Sequence, residues 1–333
     1  MKVLITGGAG YIGSTVASAC LEDGIEPVIL DSLLTGRREF TRDRTFYQGH
    51  LADGQMLERI FTDHPDIEAT VHCAALIVVP ESMTDPLRYW RANVSDTISL
   101  VDNLLRLDKP RLVFSSTAAL YAPGEDFAVD EDSPIEPVSP YARTKAAAEA
   151  MLADVTAATP LRTLSLRYFN PIGTDPKLRT GLQVKRPTHL LGQLIEAWES
   201  GTEFAVTGTD WPTRDGTGIR DFIHVWDLAA AHVASLRRFD EVVPADGPGY
   251  EVVNLGTGTG TTVREMVRAF EQVTGEPLRQ RDAGRRPGDV AGAYTRSDRA
   301  RQVLGWKPQH SIADGIRDSL RWAKVRDTRL PDG

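Results

Sequence analysis

The stretch Lys2-Val-Leu-Ile-Thr6-Gly7-Gly8-Ala9-Gly10-Tyr11-Ile12-Gly13 decides how the rest of this chain is read. Its first five residues form a short β-branched run that glycine ends at once, the pattern of a buried strand. Tyr11–Asp23 follows with helical spacing and stops at Gly24, a residue suited to the left-handed end of a helix. Between strand and helix lie Gly8, Gly10 and Gly13 in the spacing G-x-G-x-x-G, and Gly7, Gly10 and Gly13 in G-x-x-G-x-x-G. So tight a turn has no room for side chains. An anion brought to it meets backbone N–H groups and the positive end of a helix dipole, which suits the diphosphate of a dinucleotide. A second strand, Glu26–Leu30, closes on Asp31, placed to accept from ribose hydroxyls. A carboxylate there repels a 2′-phosphate and favours NAD over NADP. Arg37 and Arg38 read as a solvated loop pair.

Working outward, Thr70–Cys73 and Arg111–Ser115 are two more buried strands, with a helical stretch from about Pro86 to Leu107 between them. Helix and strand alternate up to Leu161–Arg167, which implies βαβ units and a parallel sheet. After Asn170 loops lengthen, and helices such as Leu190–Glu199 and Asp227–Arg238 are separated by irregular segments. The expected fold class is α/β: a Rossmann-type, doubly wound parallel sheet with a smaller α/β C-terminal substrate lobe. Residues 1–170 would hold NAD, with strands such as Glu251–Asn254 returning to that sheet, and 171–333 would mainly form the second lobe.

Composition narrows the field. At 333 residues the chain is long enough for two lobes, and a net charge of −8 disfavours nucleic acid as a partner. Two cysteines, Cys20 and Cys73, lack C-x-x-C spacing, so neither a disulfide framework nor a metal site is expected. MKVLITGG cannot form a signal-peptide core, and the longest apolar run, Cys73–Val79, is far short of a membrane span. A cytoplasmic protein is expected, with no membrane partner.

Tyr141-Ala-Arg-Thr-Lys145 is Y-x-x-x-K at the start of an Ala-rich helix, with Ser139 as N-cap and Pro140 as first helical residue. The spacing puts phenol and ammonium on one helix face, where the ammonium should lower the phenol's pKa and let it take a proton from an alcohol. Phe114-Ser115-Ser116-Thr117-Ala-Ala-Leu-Tyr121 lies at the end of a predicted strand, where ligands of parallel sheets sit. Its hydroxyls can bond a sugar oxygen, with turn chemistry accounting for one of the two serines.

With these residues in hand, the chain resembles the UDP-hexose 4-epimerases of the extended short-chain dehydrogenase/reductase superfamily. The resemblance runs nearly end to end, through GGAGYIGS (Gly7–Ser14), Asp31, HCAALIVVPES (His72–Ser82), Asn93, LVFSSTAALY (Leu112–Tyr121) and SPYARTK (Ser139–Lys145). It continues in LRYFNPIGTDP (Leu166–Pro176), DGTGIRDFIHVWDLA (Asp215–Ala229), NLGTGTGTTV (Asn254–Val263) and GRRPGDV (Gly284–Val290). The resemblance implies Tyr141 as base, Lys145 tuning it and holding the nicotinamide ribose, and Thr117 sharing the sugar 4-OH. It implies NAD contacts at Gly7, Gly10, Tyr11, Ile12, Gly13, Asp31, Ser32, His50, Leu51, Ala74, Ala75, Asn93, Ser115, Tyr141, Lys145 and Tyr168. UDP-sugar contacts would be Thr117, Tyr141, Phe169, Asn170, His189, Leu190, Arg220, Phe222, Arg286, Asp289 and Ala293. The two arginines suit a diphosphate. NAD would be regenerated each turn, no metal is implied, and a homodimer is expected through the helices near Pro86–Leu107 and Ser139–Thr159.

Some positions depart from the family pattern. Thr117 stands for the usual Ser, His50 for an Asp at the adenine, His189 for an Asn on the substrate, and Thr207 for a larger, often aromatic residue by the base. Ala293 stands where a bulky residue excludes an N-acetyl group, so UDP-GlcNAc and UDP-GalNAc are expected substrates alongside UDP-Glc and UDP-Gal. A dehydratase or decarboxylase would want a carboxylate after the hydroxyl, where Ala118 and Ala119 stand; a UDP-uronate 4-epimerase stays open. A non-catalytic NAD-binding regulator would have no need of Tyr141 and Lys145.

Overall fold

The protein is described by a computed structural model covering residues 1–122, 124–185, 187–285 and 289–331. The chain runs β1 (Lys2–Thr6), α1 (Tyr11–Glu22), β2 (Glu26–Asp31), β3 (Thr45–Gln48), α2 (Gly54–Asp63), β4 (Ile67–His72), α3 (Val79–Thr84), α4 (Pro86–Trp90), α5 (Asp96–Arg106), β5 (Arg111–Thr117), β6 (Ala128–Val129) and α6 (Pro140–Ala158). It continues β7 (Arg162–Tyr168), β8 (Asn170–Ile172), α7 (Leu190–Ser200), β9 (Phe204–Thr207), β10 (Ile219–His224), α8 (Val225–Arg237), α9 (Phe239–Val242), β11 (Tyr250–Leu255), β12 (Gly260–Thr262), α10 (Val263–Thr274), β13 (Gln280–Ala283), β14 (Gly292–Thr295), α11 (Arg299–Leu304) and α12 (Ile312–Arg329).

Seven strands form one parallel sheet in the order β11-β7-β5-β4-β1-β2-β3. Strand alternation divides its core. Val3, Ile5 and Ile29 face one side, against α1 and α8, while Leu4, Val28 and Leu30 face the other, against α2, α5 and α6. Each fully buried aliphatic side chain contributes about 1.5–3 kcal/mol, so both layers are needed to hold the sheet. The order reverses between β1 and β4, and the crevice above that switch point is where such sheets bind ligands.

The expected return of Glu251–Asn254 is observed: β11 pairs with β7 from Tyr250↔Thr163 to Leu255↔Tyr168. The expected continuous helix over Pro86–Leu107 is instead α4, a π-helical turn at Arg91–Ser95, and α5. Periodicity misses such a turn because it inserts one residue without breaking the apolar stripe. Inside it, Asn93 accepts from Leu76 N–H (2.8 Å) and donates to Leu76 O (2.9 Å) and Thr144 Oγ1 (3.0 Å).

The second lobe has a path of strands β12-β10-β14-β6, with β8 also on β10, and a separate β9–β13 pair. Its core gathers Leu191, Leu194, Phe204, Val206, Phe222, Met266, Phe270 and Ile316 from α7, β9, β10, α10 and α12. No helix among the described residues is long and apolar enough to cross a membrane.

Candidate active site

The glycine loop is shaped by near-contacts a side chain would turn into clashes. A Cβ on Gly7, whose φ is +72°, would lie 2.5 Å from Ala74 N, and one on Gly13 would lie 2.3 Å from Gly7 O. Gly10 differs: its nearest such neighbour is 3.4 Å away, so its missing side chain leaves space on the outer face of the loop. α1 starts on Gly10 with no side-chain cap and no acidic residue in its first turn. Its first N–H groups are the donors a helix leaves without intrahelical partners.

Asp31 is buried at the end of β2. Its Oδ2 accepts from Ala9 N–H (2.9 Å) and its Oδ1 from Leu33 N–H (2.8 Å). Burial pushes its carboxyl above the usual value, against those two hydrogen bonds. Lone pairs remain on both oxygens for ribose hydroxyls. Arg37 pairs with Glu39, and Arg38 donates to Gln48. Ser32 accepts from Leu34 N–H, Leu51 is buried in the α2 layer, and the half-exposed His50 lies 3.4 Å from Asp96.

Across the crevice, Ser139 Oγ accepts from Ala142 N–H (3.1 Å) and starts α6 with Pro140 in its first turn. That start aims Tyr141 and Lys145 at the ends of β5 and β7. The Tyr141 side chain is hydrogen-bonded to Thr117, the last residue of β5. Lys145 Nζ donates to Ser115 O (2.9 Å) and stands 4.7 Å from the centroid of the Phe114 ring. Burial pushes Lys145 down to about 8. Burial also pushes the Tyr141 phenol up, with only the Thr117 bond opposing it. Desolvation outweighs the Thr117 bond, so the phenol stands above its ordinary value where a lowered one was expected.

The two serines beside Thr117 both face inward. Ser115 Oγ lies 3.2 Å from Cys73 Sγ and 3.1 Å from His232 Nε2, and it bonds the buried Tyr168 phenol; Ser116 donates to Glu149. Thr117 is left as the hydroxyl facing Tyr141. Ala74 and Ala75 follow β4, half-buried, beside Gly7.

On the other lobe, Phe169 packs with Ala118, Tyr121 and Val129, and Ala293 rests against the same cluster. Ala293 is paired with Arg220 across β14 and β10. The Arg220 guanidinium donates to the carbonyls of Ile219 and Ala291 (both 2.7 Å) and of Val290 (3.1 Å), so it braces the segment leading into β14. Next to it, buried Asp221 gathers Thr257 N–H and Oγ1–H, Gly258 N–H and Thr295 N–H. Asn170 opens β8 opposite Phe222. Asp289 lies just before this segment; Arg286 lies outside the described residues.

Several predicted contacts are already engaged inside the protein. The Phe222 ring is buried in the lobe core, which leaves its backbone for a ligand. His189 caps α7 by accepting from Gly192 N–H (3.2 Å), and Leu190 packs behind it. The Tyr11 hydroxyl donates to Gly173 O (2.7 Å), so Tyr11 offers the loop its backbone. Asn93 holds the segment after β4 against α6, as described above. Sequence reasoning passed over one buried group altogether. Glu149 accepts from Arg167 Nε at 3.0 and 3.1 Å, and Arg167 Nη1 donates to the Tyr121 hydroxyl (2.9 Å). Its signal was there: Glu149 extends the Tyr141, Lys145 spacing by another four residues.

Comparison with known proteins now bears on this geometry. The sequence profile of the NAD dependent epimerase/dehydratase family matches residues 3–256. A UDP-glucose 4-epimerase of Azospirillum brasilense is 43% identical over 97% of this chain and 92% of its own length. The structure of a UDP-glucose-4-epimerase from Stenotrophomonas maltophila, with bound NAD and formylated UDP-arabinopyranose, superposes with TM-score 0.92 at 35% identity, covering 98% of this chain and 99% of that one. The UDP-Glc/GlcNAc 4-epimerase of Campylobacter jejuni gives TM-score 0.80 at 33% identity, covering 97% and 99%.

Proposed function

Since the chain belongs to the NAD dependent epimerase/dehydratase family, on its UDP-glucose 4-epimerase branch, we propose that it inverts C4 of a UDP-hexose with tightly bound NAD. The observation that carries this reading is the Tyr141–Thr117 hydrogen bond at the C-terminal end of β5, across the crevice from the glycine loop.

The residues present fit the cofactor. Gly10 leaves an open face at the start of α1, Asp31 keeps lone pairs for a ribose, and Tyr141 and Lys145 converge from the other side. NAD held there would supply a reversible hydride acceptor for C4, so the sugar would pass through a 4-keto form with no outside redox partner. Tyr141 takes the 4-OH proton and gives it back to the same oxygen, and Thr117 holds that oxygen through the exchange. Lys145 steadies the phenolate with its charge. Arg220 on β10 and Arg286, the latter outside the described residues, are the guanidinium partners for the diphosphate.

Ala293 sets the room beside Phe169 and Ala118, and its single methyl leaves space for an acetamido group at C2 of the sugar. The N-acetyl pair UDP-GlcNAc and UDP-GalNAc is therefore accepted together with UDP-Glc and UDP-Gal. Residues 1–170 with their returning segments serve NAD, and 171–333 mainly serve the nucleotide sugar. The enzyme is a cytoplasmic homodimer. Exposed Met83, Leu87, Trp90 and Ile98 on and around α4 and α5 support the dimer, and two unpaired cysteines support the compartment.

A coupled assay over UDP-glucose, UDP-GlcNAc and UDP-glucuronate tests the reading. Turnover of the first two is expected, with Tyr141→Phe slowed by roughly 10²–10⁴-fold. Wild-type protein inert toward all three, or a Tyr141→Phe variant at full rate, would end it.

A further inference from the structure

Three consecutive residues of β5 are each fastened to one of three positions on α6. The Ser115 carbonyl receives Lys145 Nζ, the Ser116 hydroxyl donates to Glu149, and Thr117 bonds Tyr141. Tyr141, Lys145 and Glu149 are spaced four residues apart, so one helix face makes all of these contacts. The first and last are groups of the proton-transfer site. Glu149 lies beyond any group a sugar would touch, and it is buried together with its partner Arg167.

Arg167 reaches the same turn from the other side. It lies on β7 in register with Ser116, and its Nη1 donates to the Tyr121 hydroxyl, which in turn donates to Asn254 Oδ1 (2.6 Å) on β11. The ion pair therefore grips the backbone before Thr117, at Ser116, and after it, at Tyr121. Tyr121 belongs to the apolar cluster against which Ala293 rests.

We propose that Glu149 and Arg167 are positioning residues for the proton transfer: the pair sets the height of the Thr117 hydroxyl against Tyr141, and Glu149 stands one helical turn beyond Lys145 on the same face. This rests on the epimerase reading given above. The titratable groups around Lys145 are Tyr141 and Glu149 on its own helix, His72 and Cys73 at the end of β4, and Tyr168 at the end of β7. Burial holds His72 neutral, pushing it down to about 3, and holds the Cys73 thiol protonated, pushing it up to about 11. At neutral pH the anion acting on Lys145 is then Glu149, which opposes the burial that drives the lysine down.

The test is Glu149→Gln, which keeps the shape and an acceptor for Ser116 but removes the charge. Loss of that anion lowers Lys145, so the alkaline limb of the kcat–pH profile moves toward lower pH. The expected result in the NAD-loaded enzyme is an alkaline limb displaced by about one unit toward lower pH. The KM for UDP-glucose and the NAD content should stay at wild-type values. A Glu149→Gln profile superimposable on the wild type overturns the proposal. Should that variant fail to fold, Ser116→Ala carries the test, because it leaves the ion pair intact and cuts only its hold on β5. A several-fold lower kcat at unchanged KM is expected, and wild-type kcat overturns the proposal. Wild type and Tyr141→Phe run in the same assay separate the two readings. An inactive wild type removes both, whereas an active wild type with an unmoved Glu149→Gln profile removes this one alone.

Discussion

The two sides of the crevice are built from different materials. The cofactor side is mostly backbone: a glycine loop, the start of α1, and Asp31 held by two N–H groups. The sugar side is mostly side chain, with Thr117, Tyr141, Phe169, Arg220 and Ala293 brought together from β5, α6, the β7–β8 junction, β10 and β14. A backbone site admits almost no substitution, because its shape is the path of the chain itself. A side-chain site can be retuned one residue at a time. The difference implies that identity of the cofactor is rigidly specified in this fold while choice of sugar is adjustable.

The comparison breaks first at the loop. Gly13→Ala would set a methyl 2.3 Å from Gly7 O, backbone against backbone, with no side chain free to yield. NAD should be missing from the purified variant by absorbance and mass spectrometry, and activity lost with it. Retained NAD would mean the loop is far softer than its contacts suggest. The sugar side should respond more gently and selectively. Ala293→Tyr is expected to reduce turnover of the N-acetyl pair by about 10- to 100-fold while sparing the plain hexose pair. Equal loss of both pairs would place the side chain in the common path of the sugar rather than beside its C2 group.

Acid sharpens the contrast in stability. Burial pushes His72 and His232, beneath the cofactor crevice, down to about 3 and about 4. With each folded pKa below the unfolded value of about 6.5, the unfolded chain binds protons the folded one refuses. Stability is full above pH about 6.5 and is lost as pH falls toward 4, by up to about 1.4 kcal/mol per unit for each histidine. Denaturant midpoints between pH 7 and 4.5 should fall, and hydrogen exchange should rise in β4 and α8, carrying His72 and His232, before α7. A flat midpoint over that range would contradict this account of the buried imidazoles.

The same division explains what could be read from the sequence. The parallel sheet, the phosphate loop and Y-x-x-x-K were legible because each depends on local spacing: β-branched runs, glycines at fixed offsets, one helix face. Long-range outcomes were not. The inward turn of Ser115 depends on Cys73 and His232, the commitment of Phe222 to a core on residues from five elements, and the Tyr11–Gly173 bond on a fold-back of 162 positions. The Tyr141 pKa was misjudged for the same reason, since burial is a property of the assembled molecule. The π turn at Arg91–Ser95 left no mark because one inserted residue does not break the apolar stripe of the flanking helices.

The return of β11 to the main sheet has a consequence for how the molecule can come into being. β7 is finished by Tyr168, yet the strand that covers its outer edge ends only at Leu255, and α8, which backs β1 and β7, comes between them. A nascent chain released as far as residue 170 would leave the β7 edge, with Leu164 and Leu166, open to pairing with other chains. The cofactor half is thus not a module that can be cut out or synthesised first. Its sheet closes only after about half of the other lobe has left the ribosome, so the two halves must fold as one event.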